Sequence, residues 1–348
     1  MMSPVMTIEY FLCPSRCPCD AWAPAMQRSS RQLLRACASN RRQLSGREPA
    51  SQHLAFEEVQ TPRPSGSDSG VRTAFVIHGL LGQARNWRTF AKRLAQRVSD
   101  AGGPTWRFVL VDLRHHGGSR WSVHKRDPPS TLDAAAEDLR ALATAVGAPR
   151  MVIGHSLGGK VALTYGGAAL SRSEPLTVWA LDSSPGEVVG DPHGVAVILD
   201  AVAALPPVLD SRAQAGELLH GKVPDSIKAW LVSSLVPIDN ESQDGAATQG
   251  PLRFVFDLAG AWQLYDDYRA RCAWHLFETP PAGVEVHMIR ASKSKSWDMP
   301  SSKARLAALS PHAAARLHTV HGAGHWLHVT HPEEVMQILL PSLLRPDG

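Results

Sequence analysis

The segment Gly154-His155-Ser156-Leu157-Gly158 follows the apolar run Met151 to Ile153 and precedes an amphipathic stretch from Leu157 to Leu170. A serine between glycines at a strand-to-helix turn reads as a nucleophile elbow: the turn is too tight for flanking side chains, and it lifts the hydroxyl above the sheet edge. The N-terminus of the following helix favours negative charge at that spot. A serine needs a base. Far downstream, Gly322-Ala323-Gly324-His325-Trp326 follows a final apolar run, and its glycines permit a loop that swings the His325 imidazole toward Ser156 as general base and then general acid. Upstream, His78-Gly79-Leu80-Leu81-Gly82 ends another apolar run. The main-chain N–H groups of Leu80 and of Leu157, the residue after the serine, are the expected oxyanion donors.

Three aspartates compete to orient the imidazole. Asp182 follows the run Leu176 to Leu181, at the strand end where sites of open α/β sheets lie. Asp257 sits among predicted helices. Asp298 ends the loop after the next strand, where an acid is more usual, but the natural acid position there holds Lys295. Asp182 is the first choice, with the other two read as helix-cap or surface residues. His318, His321, His328 and His331 crowd His325; His321, His325 and His328 could be metal ligands, yet their four- and three-residue gaps align only on a helix, which Gly322 and Gly324 oppose. No metal and no cofactor is expected. Asp112, Arg114 and His116 are expected to fix loops. Trp230, Trp262, Tyr265, Tyr268 and Trp274 are expected in helix cores.

The elements that must position these residues alternate. Short β-branched runs at Thr73 to Ile77, Phe108 to Asp112, Met151 to Ile153 and Leu176 to Leu181 are separated by helical patterns at Trp87 to Val98, Thr131 to Val146 and Leu157 to Leu170. This is the pattern of an α/β fold, a mostly parallel, doubly wound sheet. It breaks at residues 186–281, which read as helices at Val195 to Leu205, Ser211 to His220, Asp225 to Val236 and Ala261 to Phe277, a lid inserted into one domain of residues 53–348. It resumes with strands at Val284 to Ile289 and Ala315 to Val320, and helices at Ser302 to Leu309 and Pro332 to Leu340. An apolar lid over a polar site favours esters with an acyl chain.

Charge and composition narrow the classes. Of the net charge of +4, residues 1–50 hold all, with seven Arg against Glu9, Asp20 and Glu48; the remainder balances 29 basic against 29 acidic residues. A neutral body offers no footprint for phosphate backbones, so nucleic-acid binding is not expected. The most apolar stretch, Val195 to Leu209, is interrupted by Asp200 and two prolines, which leaves no membrane span. Residues 1–50 have the Arg- and Ser-rich composition of a transit peptide to a chloroplast or mitochondrion. They contain Cys13, Cys17, Cys19 and Cys37, leaving Cys272 alone in the body and excluding an intramolecular disulfide there.

Four segments carry a family likeness: His78 to Gly82, Asp112 to Ser119, Gly154 to Lys160 and Ala323 to His328. Together they resemble the α/β-hydrolase superfamily, and within it the esterases grouped with abhydrolase-domain-containing protein eleven and their short-chain bacterial relatives. The resemblance implies an α/β-hydrolase fold and a cofactor-free serine hydrolase cleaving small-molecule carboxylic or thio esters, with Ser156 as nucleophile and His325 as base. It leaves Asp182 and Asp257 both open as the acid. The other expectation from such a fold is a slow or inactive ligand receptor or scaffold.

Overall fold

A computed structural model describes residues 53–62, 70–120, 130–168, 175–238 and 250–346. The expected transit peptide and its four cysteines lie outside these residues. Seven strands form the main sheet: β1 (Phe56–Gln60), β2 (Arg72–Ile77), β3 (Trp106–Val111), β4 (Met151–His155), β5 (Leu176–Leu181), β8 (Val284–Ala291) and β9 (Leu317–Val320), in the order β1-β3-β2-β4-β5-β8-β9. Only β1 runs antiparallel, pairing Phe56 with Val111. It was not expected as a strand because, of its five residues, only Val59 is buried, so no apolar run marks it.

The inner strands are apolar along their whole length because both faces are covered. Phe75, Ile77, Val109, Val111, Val152 and Val178 face one layer, which includes α2 (Leu132–Val146) and α3 (Leu157–Gly167). Ala74, Val76, Phe108, Leu110, Ile153 and Trp179 face the other, formed by α1 (Arg88–Asp100) and the closing helix at Pro332–Leu343. The Thr131 hydroxyl starts α2 by accepting the Ala134 N–H at 3.1 Å. Parallel strands bring their C-terminal ends to one edge, and every chemical motif of the sequence follows such an end.

Between β5 and β8 the chain makes α4 (Val195–Ala203), α5 (Arg212–Leu218), α6 (Asp225–Ser233), α7 (Leu258–Ala270) and α8 (Trp274–Glu278). Two corrections apply to the all-helical expectation. A small antiparallel pair, β6 (Leu235–Pro237) with β7 (Leu252–Phe254), lies inside it. The single helix expected over Ala261 to Phe277 is two, because the chain turns extended at Arg271, with φ −73° and ψ 124°. The strand expected from Ala315 starts two residues later, since Pro311–Ala315 forms a short helix capped by the Ser310 hydroxyl.

Candidate active site

Ser156 joins β4 to α3 with φ 53° and ψ −119°. A side-chain-bearing residue held there costs about 1–3 kcal/mol, so its surroundings must enforce the conformation. Two glycines make the turn possible. A Cβ on Gly154 would lie 2.1 Å from the Gly158 carbonyl oxygen, and one on Gly158 would lie 2.4 Å from the His78 carbonyl oxygen. Gly159 is equally enclosed, with Ser183 2.4 Å from its notional Cβ. Leu157 is the first residue of α3, so its N–H has no intrahelical acceptor.

The structure brings Ser156, His325 and Asp182 into one line. His325 Nε2 lies 3.1 Å from Ser156 Oγ, and its Nδ1 lies 2.7 Å from Asp182 Oδ2. An ionised carboxylate only accepts, so Nδ1 carries the proton and Nε2 is free to accept from the serine hydroxyl. Asp182 is wholly buried at the end of β5, with its own φ at 42°. Its Oδ1 accepts the Ala291 N–H at 3.0 Å and the Trp297 indole N–H at 2.8 Å. Burial opposes ionisation of this carboxyl. The hydrogen bond from His325, its charge and the Ala291 N–H outweigh that cost, and the pKa lies below the ordinary carboxylate value.

The other two aspartates are elsewhere. Asp257 caps α7, accepting the Ala259 N–H at 3.2 Å, and faces His115 Nδ1 at 3.4 Å. Asp298 is 62% exposed and pairs with Lys303 at 3.0 Å. The loop after β8 carries no carboxylate at its Lys295 position; through the Trp297 indole N–H it holds the Asp182 carboxylate that follows β5.

The loop after β2 passes beside the serine: a Cβ on Gly79 would lie 3.4 Å from Ser156 Cβ. Two buried histidines set that loop. His78 Nε2 accepts the Leu113 N–H at 3.0 Å, while its Nδ1–H donates to the Gly79 carbonyl at 2.7 Å. His116 Nε2 accepts the Leu81 N–H at 3.0 Å, and its Nδ1–H donates to the Arg114 carbonyl at 2.8 Å. Burial lowers both pKa values, which keeps the imidazoles neutral and able to accept. Asp112 accepts the N–H groups of Ala84 at 2.6 Å and Gly118 at 2.8 Å, and Arg114 grips Asp138 at 2.7 and 3.0 Å. These residues fix loops, as expected.

Two features escaped the sequence reading. His325 lies between other imidazoles: His193, from the insertion, stacks on it at 4.1 Å and 18°, and His155 packs at 4.7 Å while donating its Nε2–H to the His325 carbonyl at 2.8 Å. His328 continues the column against His155 and Trp87. Burial lowers His193 to about 4 and His328 to about 3, and holds His155 well below its ordinary value. All three are uncharged at neutral pH. The second feature is the cavity wall. Tyr265 and Tyr268 are buried in the core, as expected, and they also line a cavity together with Ser156, Leu80, Leu157 and Val188. Tyr268 also interacts with Ser156 through its hydroxyl, and burial holds the phenolic proton on. Position in a helix does not encode which neighbour a ring will meet.

Among the described residues, Asp182, His193 and His325 are the one group whose ligand atoms lie close enough to share a metal ion, within 4.8 Å of one another. An ion needs roughly 2.0–2.2 Å to each ligand, whereas Asp182 and His325 are already joined at hydrogen-bond length. The group fits a hydrogen-bonded pair better than an ion.

The mostly parallel seven-stranded sheet flanked by helices is the fold of an α/β hydrolase. The model of the alpha/beta hydrolase family matches residues 74–338, and the chain belongs to that family. It is 26% identical to the sn-1-specific diacylglycerol lipase ABHD11 of Mus musculus over 288 residues, covering 79% of this chain and 82% of that protein. It is 25% identical to Esterase YbfF of Escherichia coli (strain K12), covering 76% and 90%. A solved marine microorganism esterase superposes with a TM-score of 0.59 at 19% identity, covering 84% of this chain and 99% of the other, a likeness of fold. No helix among the described residues is long and apolar enough to cross a membrane.

Proposed function

We propose that this protein is a serine esterase that hydrolyses carboxylic or thio esters of acyl chains through Ser156, His325 and Asp182. The observation that carries the reading is the continuous hydrogen-bonded line from Ser156 Oγ through His325 to a buried, ionised Asp182. Ser156 Oγ attacks the ester carbonyl as its proton passes to His325 Nε2. The negative oxygen that forms is held by the N–H groups of Leu80 and Leu157. His325 returns the proton to the leaving alcohol or thiol, leaving an acyl-serine. Water then loses a proton to the same nitrogen, attacks the acyl carbon and releases the acid with Ser156 restored. Asp182 keeps Nδ1 protonated throughout and offsets the imidazolium charge.

Residues 186–281 act in this reading as a lid, which Val188, His193, Tyr265 and Tyr268 at the cavity wall support. The apolar wall and the names of the relatives, esterases and a diacylglycerol lipase, favour acyl esters of lipid type. Residues 1–50 serve as an organelle transit peptide, a role their excess of Arg supports. Fusing them to a fluorescent reporter should send it to a chloroplast or mitochondrion; a reporter spread through the cytosol refutes that role.

The main test is labelling by a fluorophosphonate together with hydrolysis of p-nitrophenyl esters of increasing chain length. The wild type should label and turn over, and Ser156→Ala should do neither. Labelling that persists in Ser156→Ala identifies another nucleophile and overturns the assignment. Labelling without turnover favours a ligand receptor or an acyltransferase.

A further inference from the structure

Lys160 stands outside this chemistry. It lies four residues after Ser156 on the first turns of α3, and it is fully buried. A buried ammonium has three N–H donors to satisfy, and all three find carbonyl oxygens: Gly186 at 2.7 Å, Tyr268 at 2.7 Å and Arg271 at 2.9 Å. Its Nζ also lies 4.4 Å from the centre of the Tyr268 ring, a favourable cation–π distance. Burial draws its pKa down to about 7, a shift that the nearby charges of Glu187 and Asp267 oppose only in part.

The three acceptors come from the two ends of the insertion. Gly186 opens it. Tyr268 and Arg271 end α7, where carbonyls lack intrahelical partners and a cation is favoured. The main chain closes the same neck, with the Val188 N–H donating to Arg269 at 2.9 Å and the Ala273 N–H to Pro185 at 2.6 Å. On its outer side Asp267 accepts the Leu132 N–H at 2.7 Å, which ties α7 to the start of α2.

We infer that Lys160 is a positioning residue that pins both ends of the insertion to the helix bearing Ser156, and so sets the substrate-facing wall of Val188, Tyr265 and Tyr268 against that serine. An apolar side chain of equal length could fill the space but would leave three inward-facing carbonyls without donors. The chain therefore uses a charge where a core helix ordinarily carries an aliphatic residue. The wall and the serine become one unit, because Lys160 lies on the first turns of the helix that Ser156 caps.

The kinetic arm of the test rests on the esterase reading; the exchange arm does not. In the full chain, Lys160→Met should speed amide hydrogen exchange at 186–190 and 268–273 by at least tenfold while strands β2 and β4 keep their protection. It should also raise KM for a p-nitrophenyl butyrate substrate by at least tenfold, with fluorophosphonate labelling of Ser156 changed less than threefold, since that small probe needs little of the wall. Should Lys160→Met fail to fold, Lys160→Gln, which keeps two N–H donors, should show the same two effects at smaller size. Unchanged exchange at the neck overturns the inference. So does faster exchange spread evenly over neck and strands, with kcat reduced at constant KM, the signature of a residue that only supports the core. A wild type that neither labels nor hydrolyses esters sinks the esterase reading, and the exchange result then judges the pin by itself.

Discussion

Replacing Trp297 by Phe tests how Asp182 is held without touching serine, imidazole or carboxylate. The indole N–H reaches Asp182 Oδ1 at 2.8 Å, and the Ala291 N–H at 3.0 Å is the other donor to that oxygen. Phe keeps an aromatic ring in the buried space and deletes the donor. A hydrogen bond to a charged group contributes about 1.5–3 kcal/mol, and each 1.4 kcal/mol is tenfold in rate. If the bond serves mainly to aim the carboxylate at His325, kcat/KM for a short p-nitrophenyl ester should fall by roughly 10- to 150-fold. The loss should lie in kcat, because Trp297 is not among the residues lining the cavity. Removing a donor destabilises the ionised carboxyl, so the Asp182 pKa rises toward its ordinary value. Urea unfolding of the same variant separates this from lost stability. Activity within threefold of wild type would refute the view that this indole orients the Asp182 carboxylate.

Asp182→Asn should lower kcat by about 10⁴-fold, the size seen when the triad carboxylate loses its charge. Asp257→Asn and Asp298→Asn should stay within a few-fold, and steady-state kinetics on the three variants would expose a misassigned acid. Gly158→Ala puts a methyl group 2.4 Å from the His78 carbonyl oxygen and 2.8 Å from that of Ile77, main-chain atoms that cannot step aside; active protein with a normal melting temperature would contradict the packing of the elbow. His155, His193 and His328 have pKa values lowered by burial, so below about pH 6.5 the unfolded chain binds protons that the folded chain refuses. Stability should therefore fall with falling pH by about 1.4 kcal/mol per pH unit for each such imidazole. Urea titrations at pH 6.5, 5.5 and 4.5 read this slope, and His328→Phe should reduce it; a slope unchanged by that substitution would mean His328 is not buried neutral.

The inner strands were legible because burial on both faces leaves an uninterrupted apolar run, and Leu176–Leu181 appears in the sheet with the bounds its residues imply. The edge strand Phe56–Gln60 was not, since one buried Val59 makes no pattern. The pair Leu235–Pro237 and Leu252–Phe254 escaped for a different reason: three residues on each side pair across a long sequence gap, and nothing local announces the partner. Within the site, Ser156 and His325 stood out because each needs glycines beside it. Asp182 was preferred over Asp257 by its place at a strand end, while the departure at Lys295 gave no hint that Trp297, two residues on, would hold the Asp182 carboxylate.

What the amino-acid order determines by itself is local: a turn that only Gly154 and Gly158 permit, strands too apolar to lie anywhere but inside, and loops short enough to place Ser156, Asp182 and His325 at one edge. Backbone sterics and burial act between near neighbours, so they can be read along the chain. Only the tertiary structure decides which oxygen accepts which proton, which ring stacks on His325 and which carbonyls surround Lys160. Those choices depend on atoms from segments far apart in the chain, 170 residues in the case of His155 Nε2 and the His325 carbonyl, and directional contacts of that kind exist only once the layers have packed.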